Sequence, residues 1–223
     1  MTEFPLLALL IWGTVVGLDL ASMLQGLFSR PLVAGAVAGV ILNDPMTGLR
    51  IGLTLELFAL DVLPVGASRY PDYGAATVAA VAAGAGESWT AALGPAVLLG
   101  LLLAHLGGWT IVLHRRVTAW ALARAEHKLD RGEPRVASRV HLVGLISDLV
   151  RSAALAALGL AAAALLDYTP RLDVGTERAL AIVVVAGGFV AVIGGALRRA
   201  GTPRRMVWLA GGMALGVLGL GLS

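Results

Sequence analysis

Two carboxylates, Glu56 and Asp72, sit in a stretch that is otherwise apolar enough to lie in a membrane. An ionised carboxylate accepts hydrogen bonds from several hydroxyls at once, which suits a neutral polyol such as a sugar. Beside a hydroxyl it also serves as a general base if its pKa is suitable. The structural alternative is an ion pair with Arg30, Arg50 or Arg69. Four further residues join the candidate site. Gln25 offers an amide for a hydroxyl or for an interhelical bond. Ser29 and Arg30 precede Pro31, where Pro suits a first helical turn and Ser29 reads as the cap. Arg30 needs an acidic partner, Asp19 or Glu56. Asp44 lies in Asn43-Asp44-Pro45, which reads first as a turn or helix cap.

Other chemistries find little support. The chain has no cysteine, which excludes disulfides and thiol catalysis. His105, His114, His127 and His141 lack metal-ligand spacing, so no metal is expected. Gly84-Ala85-Gly86 lacks the third glycine and the flanking strand of a dinucleotide fingerprint, and no other cofactor motif is present. Asp148 and Arg151 are three residues apart on one predicted helix and read as a local ion pair.

The elements that must position these residues are membrane spans. Of the 223 residues, 58% are hydrophobic and only 14% charged, against about 25% charged in a soluble domain. Apolar runs over 93–113, 141–166, 179–197 and 206–222 predict four helices, and 5–27 a fifth interrupted by Asp19 and Gln25. The start of the sequence lacks a basic n-region, so its first apolar segment is expected to be retained. Segments 31–42, 48–60 and 74–86 are too short to span, and 29–87 reads as broken or re-entrant helices folded around a hydrated interior site. Residues 114–140 hold seven basic and three acidic side chains, net +4 in a chain of net +3. With Val117, Trp120, Ala121, Ala125 and Leu129 at helical spacing, they predict an amphipathic helix on the cytoplasmic face, ended by Gly132 and Pro134. The four arginines of 198–205 are also placed inside, and 167–177 outside. Basic residues gathered in short loops follow the positive-inside pattern, not a nucleic-acid surface. The expected fold is an all-α polytopic membrane protein: an N-terminal half (1–113), a cytoplasmic linker (114–140) and C-terminal helices (141–223).

The run Ser29-Arg30-Pro31-Leu32-Val33, Gly39, Ile41-Leu42-Asn43-Asp44, Thr47-Gly48-Leu49, Gly52, Leu55-Glu56-Leu57, Gly66 and Pro71-Asp72 resembles the IIC component of the mannose/fructose/sorbose family of bacterial sugar phosphotransferase systems. Gly17-Leu18-Asp19, Gln25, and His127-Lys128-Leu129-Asp130 leading to His141 extend the likeness over most of the chain. The resemblance implies re-entrant hairpins, a hexose substrate, a IID membrane partner and trimers of IIC–IID pairs in the bacterial inner membrane. It also implies a soluble IIB subunit, charged by IIA, that donates phosphate from a histidine, while IIC itself carries no phosphorylated residue. Asn43 and Asp61 stand where that family usually has Gly, and the added charge of Asp61 bears on substrate preference. Two other readings stay open on the residues: a sugar transporter or facilitator without a phosphate donor, and a non-transporting scaffold with both carboxylates in ion pairs.

Overall fold

Prolines and acidic caps divide the first half of the chain into short helices, and long uninterrupted apolar runs make the second half into long ones. The computed structural model describes residues 3–23, 25–62, 68–166, 168–200, 206–208 and 210–212. It is helical, with no strand among the described residues. The helices are α1 (Glu3–Ala21), α2 (Pro31–Ile41), α3 (Pro45–Ala59), α4 (Tyr73–Gly84), α5 (Trp89–Asp130), α6 (Pro134–Leu166) and α7 (Val174–Ala200). Among the described residues, α1, α5, α6 and α7 are long and apolar enough to cross a membrane. Of these, α5 displays Leu98, Leu102 and Leu106 and α7 displays Ile182, Val183 and Val190 outward, as a lipid-facing surface requires. The predicted helix at 206–222 lies largely outside the described residues.

Two boundaries differ from the sequence reading. Helix α1 stops at Ala21, short of the predicted Leu27, because Gln25 and Leu27 take positive φ values of 47° and 69°. Segment 114–140 is not a separate surface helix. It is the end of α5, a turn over Arg131–Glu133 with Gly132 at φ 73°, and the start of α6. The 42 residues of α5 extend about 63 Å at 1.5 Å per residue, twice the roughly 30 Å of hydrocarbon. Its basic end therefore projects beyond the bilayer. An amphipathic repeat in sequence does not distinguish a helix lying on a membrane from one leaving it.

The short helices are held by backbone contact. In α2, Gly35 and Gly39 face Gly48 and Gly52 of α3. A Cβ on Gly35 would lie 2.6 Å from the Gly48 carbonyl oxygen, and one on Gly39 would lie 2.7 Å from that of Asp44. Small residues four apart on both helices give this closeness. Helix α4 is buried on every side from Tyr73 to Val81, as expected of a helix with no polar face. Gly84 at its end meets Ile51, Ala92 and Ala96. Gly13 and Gly17 of α1 pack on Ala156 and Ser152 of α6, so these two helices run antiparallel.

These contacts fix where the broken helices begin and end. The α2–α3 turn reaches Gly86, whose amide donates to Asp44 Oδ2, near the start of α5. The opposite ends meet half-way along α5. There Asp72 lies against Gly107, Ser29 against Gly74, and Ala59 packs beside Tyr73. The starts of α2 and α4, the end of α3 and the end of α1 thus converge on one level inside the bundle.

Candidate functional site

The turn after α1 is organised by Asp19, which is 2% exposed. Its Oδ1 accepts from the Gly26 amide at 2.6 Å and its Oδ2 from the Ser29 amide at 2.8 Å. These bonds curl residues 25–30 back over the bundle, and Trp12 fastens them. Its indole donates to the Ala34 carbonyl at 3.0 Å and packs edge-on against Phe28.

Arg30 then opens α2 with its guanidinium bound to Glu56 Oε1. Glu56 Oε2 accepts from the Leu32 amide at 3.2 Å. The free amides at the start of α2 are thus met by a carboxylate from α3, not by Ser29, and α2 has no side-chain cap of its own. Arg30 takes Glu56 as its partner and leaves Asp19 to the backbone.

Residues 68–72 form the second wall, laid along α5. The Asp72 amide donates to the Ala104 carbonyl at 2.8 Å, and Gly107 and Gly108 let this segment lie flat on the helix. Arg115 donates to the Ser68 carbonyl at 2.8 Å and stacks over Tyr70, while Arg69 stacks over Trp109. Asp72 then caps α4, accepting from the Ala75 amide at 3.3 Å.

Between these walls lies a cavity of about 410 Å³ bordered by Asp19, Gln25, Ser29, Arg30, Tyr70 and Tyr73, within the roughly 300–1,000 Å³ usual for small-molecule sites. Its lining combines carboxylate, amide, hydroxyl, guanidinium and two phenols, the groups that bind a polyhydroxylated ligand. A second cavity of about 420 Å³ lies between the projecting ends of α5 and α6, beside His114, Thr118 and His141. It contains none of the residues predicted for the site. Among the described residues no cluster of His, Asp and Glu is placed to hold a metal ion.

A sequence profile of the family described as PTS system sorbose-specific IIC component matches residues 4–212. The chain belongs to this family. It is 29% identical over 199 residues to the sorbose-specific EIIC component of Lacticaseibacillus casei, covering 88% of this chain and 70% of the relative. It is 28% identical over 171 residues to the mannose-specific EIIC component of Escherichia coli K12, covering 76% and 63%. A fructose permease IIC component of Bacillus subtilis matches at 29% identity over 156 residues, 68% of this chain and 55% of that one. The chain thus spans between about half and about two-thirds of the length of these relatives. Two solved structures share the fold over all of this chain and 94% of theirs. One is a membrane protein at TM-score 0.68 and 23% identity; the other is the cryo-EM structure of the mannose transporter ManYZ with microcin E492, at 0.53 and 22%.

In this IIC-family chain the residues expected from sequence fall into three places. Gln25, Ser29 and Arg30 border the cavity, with Glu56 directly behind Arg30. Asp72 is fully buried one layer deeper, between the cavity residues Pro71 and Tyr73. Asp44 is remote, a cap on α3 that accepts from the Thr47 amide at 3.1 Å and from Gly86 at the far end of the hairpin. The sequence reading assigned no site role to Asp19, Tyr70 or Tyr73. It also took Arg151 only as a local partner of Asp148. Asp148 Oδ1 does accept from Arg151 Nε at 2.7 Å, but Nη1 reaches Asp72 Oδ2 at 2.9 Å and Nη2 reaches the Gly17 carbonyl at 3.0 Å. The available signal was the number of donors. A guanidinium carries five N–H groups, and one carboxylate a turn away cannot satisfy them in an apolar helix.

Proposed function

We propose that this chain is the sugar-translocating IIC subunit of a mannose-family phosphotransferase system, carrying a hexose across the bacterial inner membrane as it is phosphorylated. The observation that carries this reading is the 410 Å³ cavity with polar lining at the inner ends of three short helices. Broken helices whose ends meet inside a bundle are where transporters place their substrates. Helices α2 and α3, of 11 and 15 residues, extend about 17 and 23 Å. Neither crosses a roughly 30 Å core, so the pair is read as a re-entrant hairpin with its open end at the cavity.

The chain's part is to bind and orient. Asp19, Gln25 and Ser29 are read as partners of the sugar hydroxyls, with Arg30 held in place by Glu56. Each acidic group near the cavity is already engaged: Asp19 by two amides, Glu56 by Arg30 and Leu32, Asp72 by Arg151 and Ala75. None is therefore read as a free base; by the family reading the phosphoryl group is assigned to a soluble IIB partner charged by IIA, and a IID subunit to the exposed apolar surface. The IIC–IID pairs are read as forming trimers.

Vesicles containing the chain, a IID subunit and phosphorylated IIB test this reading. Labelled hexose is expected to appear inside as sugar phosphate, and Glu56→Gln is expected to stop uptake while leaving assembly intact. Free sugar inside would favour a phosphate-independent transporter. Uptake by Glu56→Gln at the unaltered rate would overturn the site.

A further inference from the structure

Arg151 lies near the middle of α6, with its side chain only 5% exposed and both acidic partners fully buried. Its guanidinium makes bonds in three directions. Nε donates to Asp148 on its own helix at 2.7 Å. Nη1 donates to Asp72 at 2.9 Å and, more weakly, to the Thr110 hydroxyl of α5 at 3.4 Å. Nη2 donates to the Gly17 carbonyl of α1 at 3.0 Å and to the Ser152 hydroxyl at 3.1 Å.

Two of these partners stand directly behind opposite walls of the cavity. Gly17 lies one helical half-turn before Asp19, whose carboxylate shapes the 25–30 turn. Asp72 stands between Pro71 and Tyr73, both on the cavity surface, and its backbone is bonded to Ala104 of α5. A planar fork holds its bonding directions fixed relative to one another, and charge-assisted bonds are among the strongest a side chain makes. Ordinary packing of α1 on α6 does not need this: Gly13 and Gly17 already seat on Ala156 and Ser152. What the guanidinium adds is a single rigid link between the α1 carbonyl and the α4 cap.

Resting on the sugar-site reading above, we propose that Arg151 is a positioning residue: by binding Asp72 and the Gly17 carbonyl together, it sets the separation of the two cavity walls and hence hexose affinity. It touches no substrate. Lysine keeps the charge but presents a point ammonium on a flexible stem and loses the fork. Asp72→Asn keeps an acceptor for the Ala75 amide while removing the charge that Arg151 grips.

The test uses the full chain paired with a cysteine-free IID subunit in nanodiscs, with mannose, sorbose and fructose as probes. Because the sequence has no cysteine, spin labels at Met23→Cys and Ser68→Cys report the wall-to-wall distance directly. In folded Arg151→Lys, the Kd for whichever probe the unaltered chain binds is expected to rise at least tenfold, and the label distance distribution to broaden. Folded Asp72→Asn is expected to do the same and decides the matter if Arg151→Lys does not fold. A Kd within twofold of the unaltered value in either folded variant would overturn the proposal, as would an unchanged distance distribution. If the unaltered chain binds none of the three sugars, the sugar-site reading fails. The label distances then still decide whether Arg151 sets the walls.

Discussion

Arg30 and Glu56, 26 residues apart in sequence, close the inner end of the α2–α3 hairpin with an ion pair. The same carboxylate accepts from the Leu32 amide, so one side chain neutralises the arginine and caps the neighbouring helix. Arg30 borders the cavity with its side chain 37% exposed, whereas Glu56 is 13% exposed. The carboxylate is therefore the buried support and the guanidinium the presented group.

Substitutions at Glu56 should separate these two roles. Glu56→Gln keeps an acceptor for Leu32 and leaves Arg30 partly solvated, so the loss of stability is held to about 1 kcal/mol. Sugar uptake is expected to fall more than tenfold, because Arg30 is no longer fixed. Glu56→Lys puts a cation beside Arg30 and at the positive end of α2, and should prevent accumulation of folded protein. Thermal unfolding in detergent together with uptake in vesicles checks both. Equal stability of the Gln and Lys variants would show that the pair does not organise the hairpin.

Backbone contact between α2 and α3 gives a second expectation. A methyl at Gly35 would meet the Gly48 carbonyl and Gly52 backbone, which have no side-chain freedom to yield. Gly35→Ala should cost about 1–3 kcal/mol, the usual range for overpacking. Gly194 of α7 has no atom within 4 Å of a built Cβ. There Ala removes backbone freedom from the unfolded chain and is expected to be neutral or stabilising by about 0.5–1 kcal/mol. Opposite shifts in unfolding midpoint for the two variants are the predicted outcome.

The contrast shows how far sequence carries here. Breaks at Pro31, Asn43-Asp44-Pro45 and Asp72 were legible because caps and prolines act locally, and each does end or begin a helix. The all-helical membrane fold followed from the apolar runs. Arg151 was not legible as a hub because its second carboxylate lies 79 residues away, and helical spacing reveals only the neighbour three residues off. Asp19 interrupts an apolar run that reads as helix to Leu27. Only its two bonds to the following turn, together with the positive φ of Gln25, show that the helix has ended. The paired glycines at 35/39 and 48/52 were a readable small-residue signal, and the hairpin's closeness was in principle predictable from them.

Gln25 allows side chain and backbone to be tested apart. Its φ of 47° is a conformation that glycine adopts without steric cost, so Gln25→Gly relieves the backbone while deleting the amide. Relief of left-handed strain, about 1–2 kcal/mol, is set against about 0.5–1 kcal/mol of lost backbone entropy. Stability should hold or rise slightly. If the amide binds a sugar hydroxyl, the loss of one hydrogen bond of about 0.5–1.5 kcal/mol weakens hexose affinity by about two- to tenfold. Calorimetric titration of the folded variant measures this. Unchanged affinity would remove Gln25 from the site.

Acidification should loosen one defined place outside the membrane. Asp173 precedes α7, where its Oδ1 accepts from the Gly175 amide at 3.0 Å and the Thr176 amide at 3.1 Å, and its Oδ2 takes the Thr176 hydroxyl. Bonds from the Thr176 hydroxyl and amide, then from Gly175, favour the ionised form and hold its carboxyl below the usual 3.8. A group whose pKa is depressed on folding stabilises the fold above its unfolded pKa and loses that contribution as pH falls through its folded pKa. The window of loss therefore opens as pH approaches 3.8 and closes below it, with little change between neutral pH and that onset. Hydrogen-exchange protection of the Gly175 and Thr176 amides, corrected for intrinsic rate, should fall only within the window. Asp173→Ala should show the low protection at every pH. Asp173→Asn, which keeps an acceptor oxygen and cannot titrate, should retain partial protection with no dependence on pH. A protection profile for the unaltered chain that is flat through the window would show that the cap does not depend on the ionised carboxylate.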